Sequence, residues 1–329
     1  MNASGSSRVV VPPTPRRSHR LPGGFRKPEN ELLFITYESS AALSTTLSAL
    51  CDRESSDGEP TVVVIVFDAE RLEFVTLSSS NAMMVRVQLP RTSCLAFRGV
   101  RVRREFAASA ACVQQWATLA AACPATSFTL MFEQSERRDE VLHLMLYPSD
   151  GVIGDAVVAR SAISPLCDDD DPNVQLLAGH TDGYQYMVVL SARSFARSLL
   201  ALIDGTEAAV VTLLLGSDAF EVSAVARDGR SHACMSFGVG QRCVIAPLVD
   251  PPLFHALFRN HRMPAAHMRE AALLIGAHTD DAEADVALRL AVNPATKPPA
   301  VLPLFVELRL RSATPQSAYA VRMWIAPCT

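Results

Sequence analysis

The sequence predicts an α+β fold: mostly antiparallel sheet, interrupted by four helices, in two similar halves. Three observations predict it. Strand-sized apolar or alternating segments dominate from Glu31 onward. Helical periodicity is confined to four segments that start near residues 39, 107, 192 and 264. The spacing within the first pair is about 68 residues and within the second about 72, so one strand–helix–strands–helix–strands unit is used twice, with a period of about 155. Strands and helices do not alternate one for one, which excludes a doubly wound parallel sheet.

Residues 1–30 hold five prolines and adjacent glycines without a hydrophobic period, which predicts a disordered arm. Leu32–Tyr37 is apolar and β-prone. The first helix, roughly Ser39–Asp52, opens on capping serines and sets Leu43, Leu47 and Leu50 on one face. Val62–Phe67 reads as a buried strand and Leu72–Leu77 as the next. Val85, Val87 and Leu89 alternate with Arg86 and Gln88, the pattern of a half-buried strand. The second helix, roughly Ala107–Ala122, groups Val113, Trp116 and Ala120, and strands Phe128–Phe132 and Val141–Tyr147 follow.

An Asp-, Gly- and Pro-rich linker divides the chain into an arm (1–30), an N-terminal domain (31–163), the linker (164–183) and a C-terminal domain (184–329). The second half opens with strand Tyr186–Leu190. The third helix, roughly Ala192–Ile203, buries Phe195, Leu199, Leu202 and Ile203 opposite Arg193 and Arg197. Strands Ala209–Leu215 and Phe220–Ala226 come next. The fourth helix starts at Pro264 as its first helical residue and carries Met268, Ala271, Ala272 and Ile275; Leu253–Phe258 is the alternative helix. Three alternating strands close the chain: Val286 to Val292, Val306 to Leu310 against Glu307 and Arg309, and Val321, Met323, Ile325.

Charge is unevenly spread. Residues 1–30 carry six basic groups and one acid, so +5, and the remaining 299 residues carry −9. An acidic body excludes charge-driven wrapping of nucleic acid over the whole surface but leaves room for a local basic stripe. The basic arm suits a targeting signal, a phosphate contact or a solvated tail. No stretch reaches the roughly 18 apolar residues of a membrane span, and the arm lacks the apolar core of a secretory signal. The eight cysteines form no Cys-x-x-Cys pair, so free thiols in a reducing, intracellular compartment are expected.

Catalytic signatures are missing. There is no phosphate-binding Gly-x-x-x-x-Gly-Lys-Ser/Thr loop and no Gly-x-Ser-x-Gly elbow. The acidic runs Asp168–Asp171 and Asp280 to Asp285 suit solvated segments as well as a hard cation. No catalytic residue, metal ligand or cofactor is expected, and an enzyme on this scaffold lacks a nucleophile and base.

Four segments carry a resemblance. Leu72 to Leu89, Val188 to Arg197, Leu302-Pro303-Leu304-Phe305-Val306-Glu307-Leu308 and Val321-Arg322-Met323-Trp324-Ile325-Ala326-Pro327 resemble, in order and in spacing, the sliding clamp family of the proliferating cell nuclear antigen (PCNA) class. The resemblance implies a duplicated clamp fold whose subunits, usually three, form a ring around duplex DNA without reading bases. It implies a polymerase processivity factor in the nucleus or in a viral replication compartment, with a clamp loader as a further partner. The alternative is a clamp-fold accessory factor without ring closure, a monomeric or dimeric viral processivity or transcription factor.

The resemblance also assigns residues. Arg53, Gln114, Gln115, Arg193, Arg197, His267 and Arg269 would face DNA, a lining that is polar but only weakly basic. A peptide of the polymerase or another partner would seat on Leu77, Asn81, Ala82, Pro303, Trp324, Ile325, Ala326 and Pro327. Leu166, Val174, Leu176 and Leu177 of the linker would fold over it. Asp168–Asp171 at the rim would favour basic flanks on that peptide. Trp324 falls out of phase with its strand, so it needs a cover, and Pro327 would let the chain end peel off beside the linker. Subunits would meet through sheet edges near Ile153 to Arg160, with Val157 and Val158, on one side and near Ser223 to Met235, with Val225 and Arg227, on the other.

Overall fold

A computed structural model describes residues 31–37, 40–51, 62–77, 83–94, 96–99, 103–122, 126–134, 140–148, 157–165, 184–216, 218–240, 243–248, 261–278, 284–290, 292–293, 300–301, 303–310 and 320–328. The basic arm, the linker core 166–183 and the alternative helix at 253–258 lie outside them. In chain order the first half runs β1 (Glu31–Tyr37), α1 (Ser40–Cys51), β2 (Val62–Phe67), β3 (Arg71–Leu77), β4 (Met83–Pro90), β5 (Ala96–Arg98), β6 (Arg104–Ser109), α2 (Ala110–Ala122), β7 (Thr126–Gln134), β8 (Glu140–Pro148) and β9 (Val157–Pro165). The second runs β10 (Tyr186–Ser191), α3 (Ala192–Thr206), β11 (Val210–Leu215), β12 (Ala219–Val225), β13 (His232–Gly238), β14 (Cys243–Pro247), β15 (His261–Pro264), α4 (Ala265–Ala277), β16 (Ala284–Leu290), β17 (Val292–Asn293), β18 (Ala300–Val301), β19 (Leu304–Leu310) and β20 (Ala320–Ile325).

One antiparallel sheet runs through both halves in the order β14-β10-β16-β19-β20-β4-β3-β2-β6-β9-β8-β7-β1-β5. A second has the order β13-β12-β11-β15. The halves follow the same order of connections. β14-β10-β16-β19-β20 corresponds to β5-β1-β7-β8-β9, and β13-β12-β11-β15 to β4-β3-β2-β6. The seam between the halves is the β4–β20 ladder, Ile325↔Met83 to Ala320↔Gln88.

Strand residues with period two sort onto two faces. Val63, Ile65 and Phe67 of β2, Val85 and Val87 of β4, Val306 of β19 and Met323 and Ile325 of β20 join the main core. Against that core pack the apolar faces of the helices, Leu47 and Leu50, Val113 and Trp116, Phe195 and Leu199, Met268 and Ile275. The opposite strand face holds a smaller cluster: Val66, Val75, Met84, Tyr184, Phe305 and Trp324. Helices pair within each half, α1 on α2 and α3 on α4. Ser44 in α1 is buried and donates to the Ala117 carbonyl of α2 at 2.7 Å. Across the halves, Thr46 Oγ1 lies 3.3 Å from His278 Nε2 in a buried contact. Burial pulls the His278 imidazole down to about 4.

Four expectations change. Helix α2 starts at Ala110, not Ala107, because Ala107 and Ser109 pair with Val64 and Val62 in the sheet; strand pairing overrides the helix propensity of alanine. Pro264 is the last residue of β15 and caps α4 instead of opening it. Strand β4 is not half-buried: it sits between β3 and β20, and Arg86 is buried with the rest. Strand β9 runs to Pro165, just inside the segment expected as linker.

Candidate functional site

The helix layer presents a polar surface. On α3, Arg193 and Arg197 are exposed while Phe195, Leu199, Leu202 and Ile203 are buried. Opposite, Arg269 of α4 donates through Nε to Asp204 Oδ1 of α3 at 2.9 Å. That exposed pair adds little stability, but it offsets the Arg269 charge. His267 is half-buried, its Nδ1 3.8 Å from Glu270 Oε2. Arg262 of β15 is exposed beside them. Helices α1 and α2 carry no Asp, Glu, Lys or Arg; Gln115 is exposed on α2 and Gln114 half-buried. Positive charge on this layer is therefore concentrated in the second half.

The opposite face carries the second feature, centred on the seam. Phe305 of β19 and Trp324 of β20 are cross-strand partners, and their rings meet edge-on at 4.9 Å. Tyr184, the first described residue after the linker, tilts against Phe305 at 5.7 Å and donates its hydroxyl to the Pro303 carbonyl at 3.0 Å. Its burial pushes the phenol up to about 12. Val64 and Leu77 pack against the cluster from the first half, only partly buried. Two arginines lie over its rings, Arg86 over Trp324 at 5.4 Å and Arg289 over Phe305 at 5.0 Å.

These arginines belong to a charge network along the same face. Glu73 of β3 stands 3.4 Å from Arg71 and 3.9 Å from Arg86. Glu307 of β19 accepts from Arg322 Nε at 3.1 Å and faces Arg289 at 3.7 Å. Arg322 also donates to Gln88 Oε1 at 2.8 Å, across the seam. Both carboxylates are buried, where an unpaired charge would cost several kcal/mol. Among the described residues no group of three His, Cys, Asp or Glu side chains could hold a metal ion.

No sequence-family model and no curated protein matches the chain. Among solved structures it is similar to the crystal structure of proliferating cellular nuclear antigen from Entamoeba histolytica, with a TM-score of 0.62 over 91% of this chain and 100% of that one, at 10% identity. The fold is that of a sliding clamp. In it, the β3–β4 and β19–β20 motifs that carried the resemblance are the strands on either side of the seam.

Of the residues expected to line DNA in this clamp fold, Arg193, Arg197, Arg269 and Gln115 are exposed on the helix layer, Gln114 and His267 are half-buried, and Arg53 lies outside the described residues. Of the expected pocket, Leu77 and Trp324 share the outer face, with Pro303 exposed nearby and Ala326 and Pro327 half-buried after the strand. Asn81, Ala82, Leu166, Val174, Leu176 and Leu177 lie outside the described residues, as do Asp168–Asp171. Ile325 is a correction: one residue on from Trp324, it points into the main core and is fully buried. After β20 the chain end leaves the ladder and the Cys328 N–H donates to the Arg262 carbonyl of β15 at 2.8 Å; the linker beside which it was expected lies outside the described residues.

Within the expected edge Ser223 to Met235, Val225 lies on β12 and pairs with His232 of β13, so among the described strands the open one is β13, while Arg227 sits in the turn, its N–H given to the Thr206 carbonyl. Gly229, at φ +67°, and Asp228, which accepts from the Arg230 and Ser231 N–H groups, make that turn and fold β13 back on β12. Val157 and Val158 open β9, paired with Leu146 and Met145 of β8. Tyr184, Phe305, Arg86 and Arg289 are functional candidates that the sequence reasoning passed over. Phe305 carried a signal like that of Trp324, since it is out of phase with Leu304, Val306 and Leu308.

Proposed function

We propose that this chain is a DNA sliding clamp, a non-catalytic processivity factor that encircles duplex DNA and tethers a polymerase. One observation carries the reading: the seam pairing β4–β20 has an unused counterpart, among the described strands, in the end strand β13 and in the second side of β9, of which β6 covers only the last two residues. Strand β13 occupies the position of β4, and among the described strands it is paired only with β12. Strand β9 occupies the position of β20, and on its second side only Ser164 and Pro165 pair with β6. Joining β9 of one subunit to β13 of the next repeats the seam and closes a ring of similar halves. The halves are then two copies of one unit, residues 31–163 and 184–329, joined by the linker 164–183.

Six such halves make a homotrimer, whose solution mass by light scattering is three times the 35.5 kDa of one chain. Successive residues of a strand point their N–H groups to opposite sides. Of Val157→Pro and Val158→Pro, one therefore removes a donor from the open side of β9, and that variant should run as a monomer. A trimer mass for both variants would move the interface elsewhere. A 35.5 kDa wild type would favour the second reading, an accessory factor without ring closure, which the uncharged surfaces of α1 and α2 already support.

In the ring the helix layer faces DNA, and contacts are few and exchangeable because a closed ring needs no tight grip. Arg193 and Arg197 are the phosphate contacts; Arg269 contributes less, being paired with Asp204. Arg193→Glu combined with Arg197→Glu should abolish stimulation of polymerase processivity with an unchanged melting temperature. Loss of two phosphate contacts should flatten the slope of log K against log salt by about 2. An unchanged slope would take these arginines off the DNA. The outer face around Leu77, Trp324 and Phe305 receives the partner peptide, as a short helical turn with aliphatic and aromatic anchors.

A further inference from the structure

The face opposite the helices holds buried hydrogen-bond donors that lack acceptors among the described residues, and they belong to one cluster of arginines and aromatic rings. Arg86 Nε, Arg289 Nε and the Trp324 indole N–H are buried and find no acceptor among the described residues. Trp324 and Arg86 are each about nine-tenths buried, at 8% and 9% exposure. Two are guanidinium donors over one aromatic pair, Arg86 over Trp324 and Arg289 over Phe305, and the third is the indole of that pair.

Charge points the same way. Arg86, Arg289 and Arg322 share two carboxylates, Glu73 and Glu307; Glu73 is also faced by Arg71, which pairs with Asp68 as well, and Glu73 Oε1 is itself buried without a hydrogen-bond donor among the described residues. Arg86 has the loosest hold, at 3.9 Å. Above all burial pulls its guanidinium below the ordinary arginine value; Glu73 opposes this, and the Arg71, Arg103 and Arg322 charges add to it. A buried donor without an acceptor is costly, and more so when charged. An incoming carboxylate would fill that need with charge-assisted hydrogen bonds.

We propose that the peptide seated on this face carries an Asp or Glu beside its apolar anchors, held by Arg86, Arg289 and the Trp324 indole N–H. The inference rests on the reading of this face as the partner site. It reverses the basic flank expected from Asp168–Asp171. The anchors lie against Val64 and Leu77, and the carboxylate sits on the arginine side of the Phe305–Trp324 pair. The arginines thereby select partners and set binding specificity, while the apolar patch supplies area.

Calorimetric titration of the full chain with three synthetic peptides tests it. The peptides share one aliphatic and two aromatic anchors on a helical turn and differ at one flanking position, Asp, Asn or Lys. The Asp peptide should bind about tenfold tighter than the Asn peptide, and the Lys peptide weakest. Arg289→Met leaves Glu307 its Arg322 partner and should bring the Asp and Asn peptides to equal affinity. Arg86→Met, checked for an unchanged melting temperature, should do the same. Equal binding of the three peptides, tightest binding of Lys, or a preference surviving in both variants overturns the inference but leaves the partner site standing. No binding of any peptide removes both. Replacing Asp168–Asp171 with asparagine should leave the Asp peptide within twofold; a tenfold gain would mean that the chain's own acids occupy the arginines, and overturns the assignment to a partner.

Discussion

Trp324→Ala should destabilise the folded chain by about 3–5 kcal/mol, the range for emptying a buried large aromatic site, in addition to removing peptide binding. The indole is 8% exposed, lies edge-on to Phe305 and sits beneath Arg86. It stands on β20, the strand that joins the two halves. Truncation opens a cavity at the seam and strips the cover from a face where Glu73 and Arg86 are buried together. Denaturant unfolding measures it: the midpoint should fall with an unchanged slope. A loss below about 1 kcal/mol would mean that the ring is not packed as described. The variant is therefore a poor separator of binding from folding. Leu77→Ser separates them better, because Leu77 is half-buried at the rim of the cluster.

Acid should loosen the same seam from the helix side. His278 contacts Thr46 across the halves, and burial holds its folded-state value at about 4, below the ordinary 6.5. The folded chain therefore binds the proton more weakly than the unfolded chain, and protonation favours unfolding. Stability is complete above pH 6.5 and is lost as pH falls from there toward 4. Linkage sets the loss through this one group at about 2 kcal/mol between pH 7 and pH 5. His278→Gln keeps a hydrogen-bonding side chain and removes the titration, so its stability should vary with pH by that much less. Equal pH slopes in wild type and variant would assign the acid sensitivity to other groups.

How much of this was legible beforehand varies with the residue. The expected helices at 39–52 and 192–203 are Ser40–Cys51 and Ala192–Thr206, and Val62–Phe67 is reproduced as expected. Their apolar spacing is a local property, set by 3.6 or 2 residues per repeat. The strands β5, β6, β13, β14 and β15 were not legible as such. In β13 only Ala233, Met235 and Phe237 turn inward and all remain half-exposed, so the apolar contrast is weak. At the site, the odd phase of Trp324 was visible in the sequence, and the same phase in Phe305 was there to be read.

The burial of Arg86 was not visible. An arginine alternating with valines has the pattern of a solvated face, and it becomes interior only when β20, more than 200 positions along the chain, lays Trp324 beside it. The same holds for the Arg322–Gln88 bond and the Thr46–His278 contact, whose partners are 234 and 232 positions apart. Periodicity, capping and turn chemistry act over a few residues, so the amino-acid order alone carried the α+β class, the element order and the phase of each strand. Which strand edges stay open, which arginines lack acceptors and where the two halves join depend on pairings between distant strands. Those pairings are chosen by burial of the whole core at once, and only the tertiary structure could decide them.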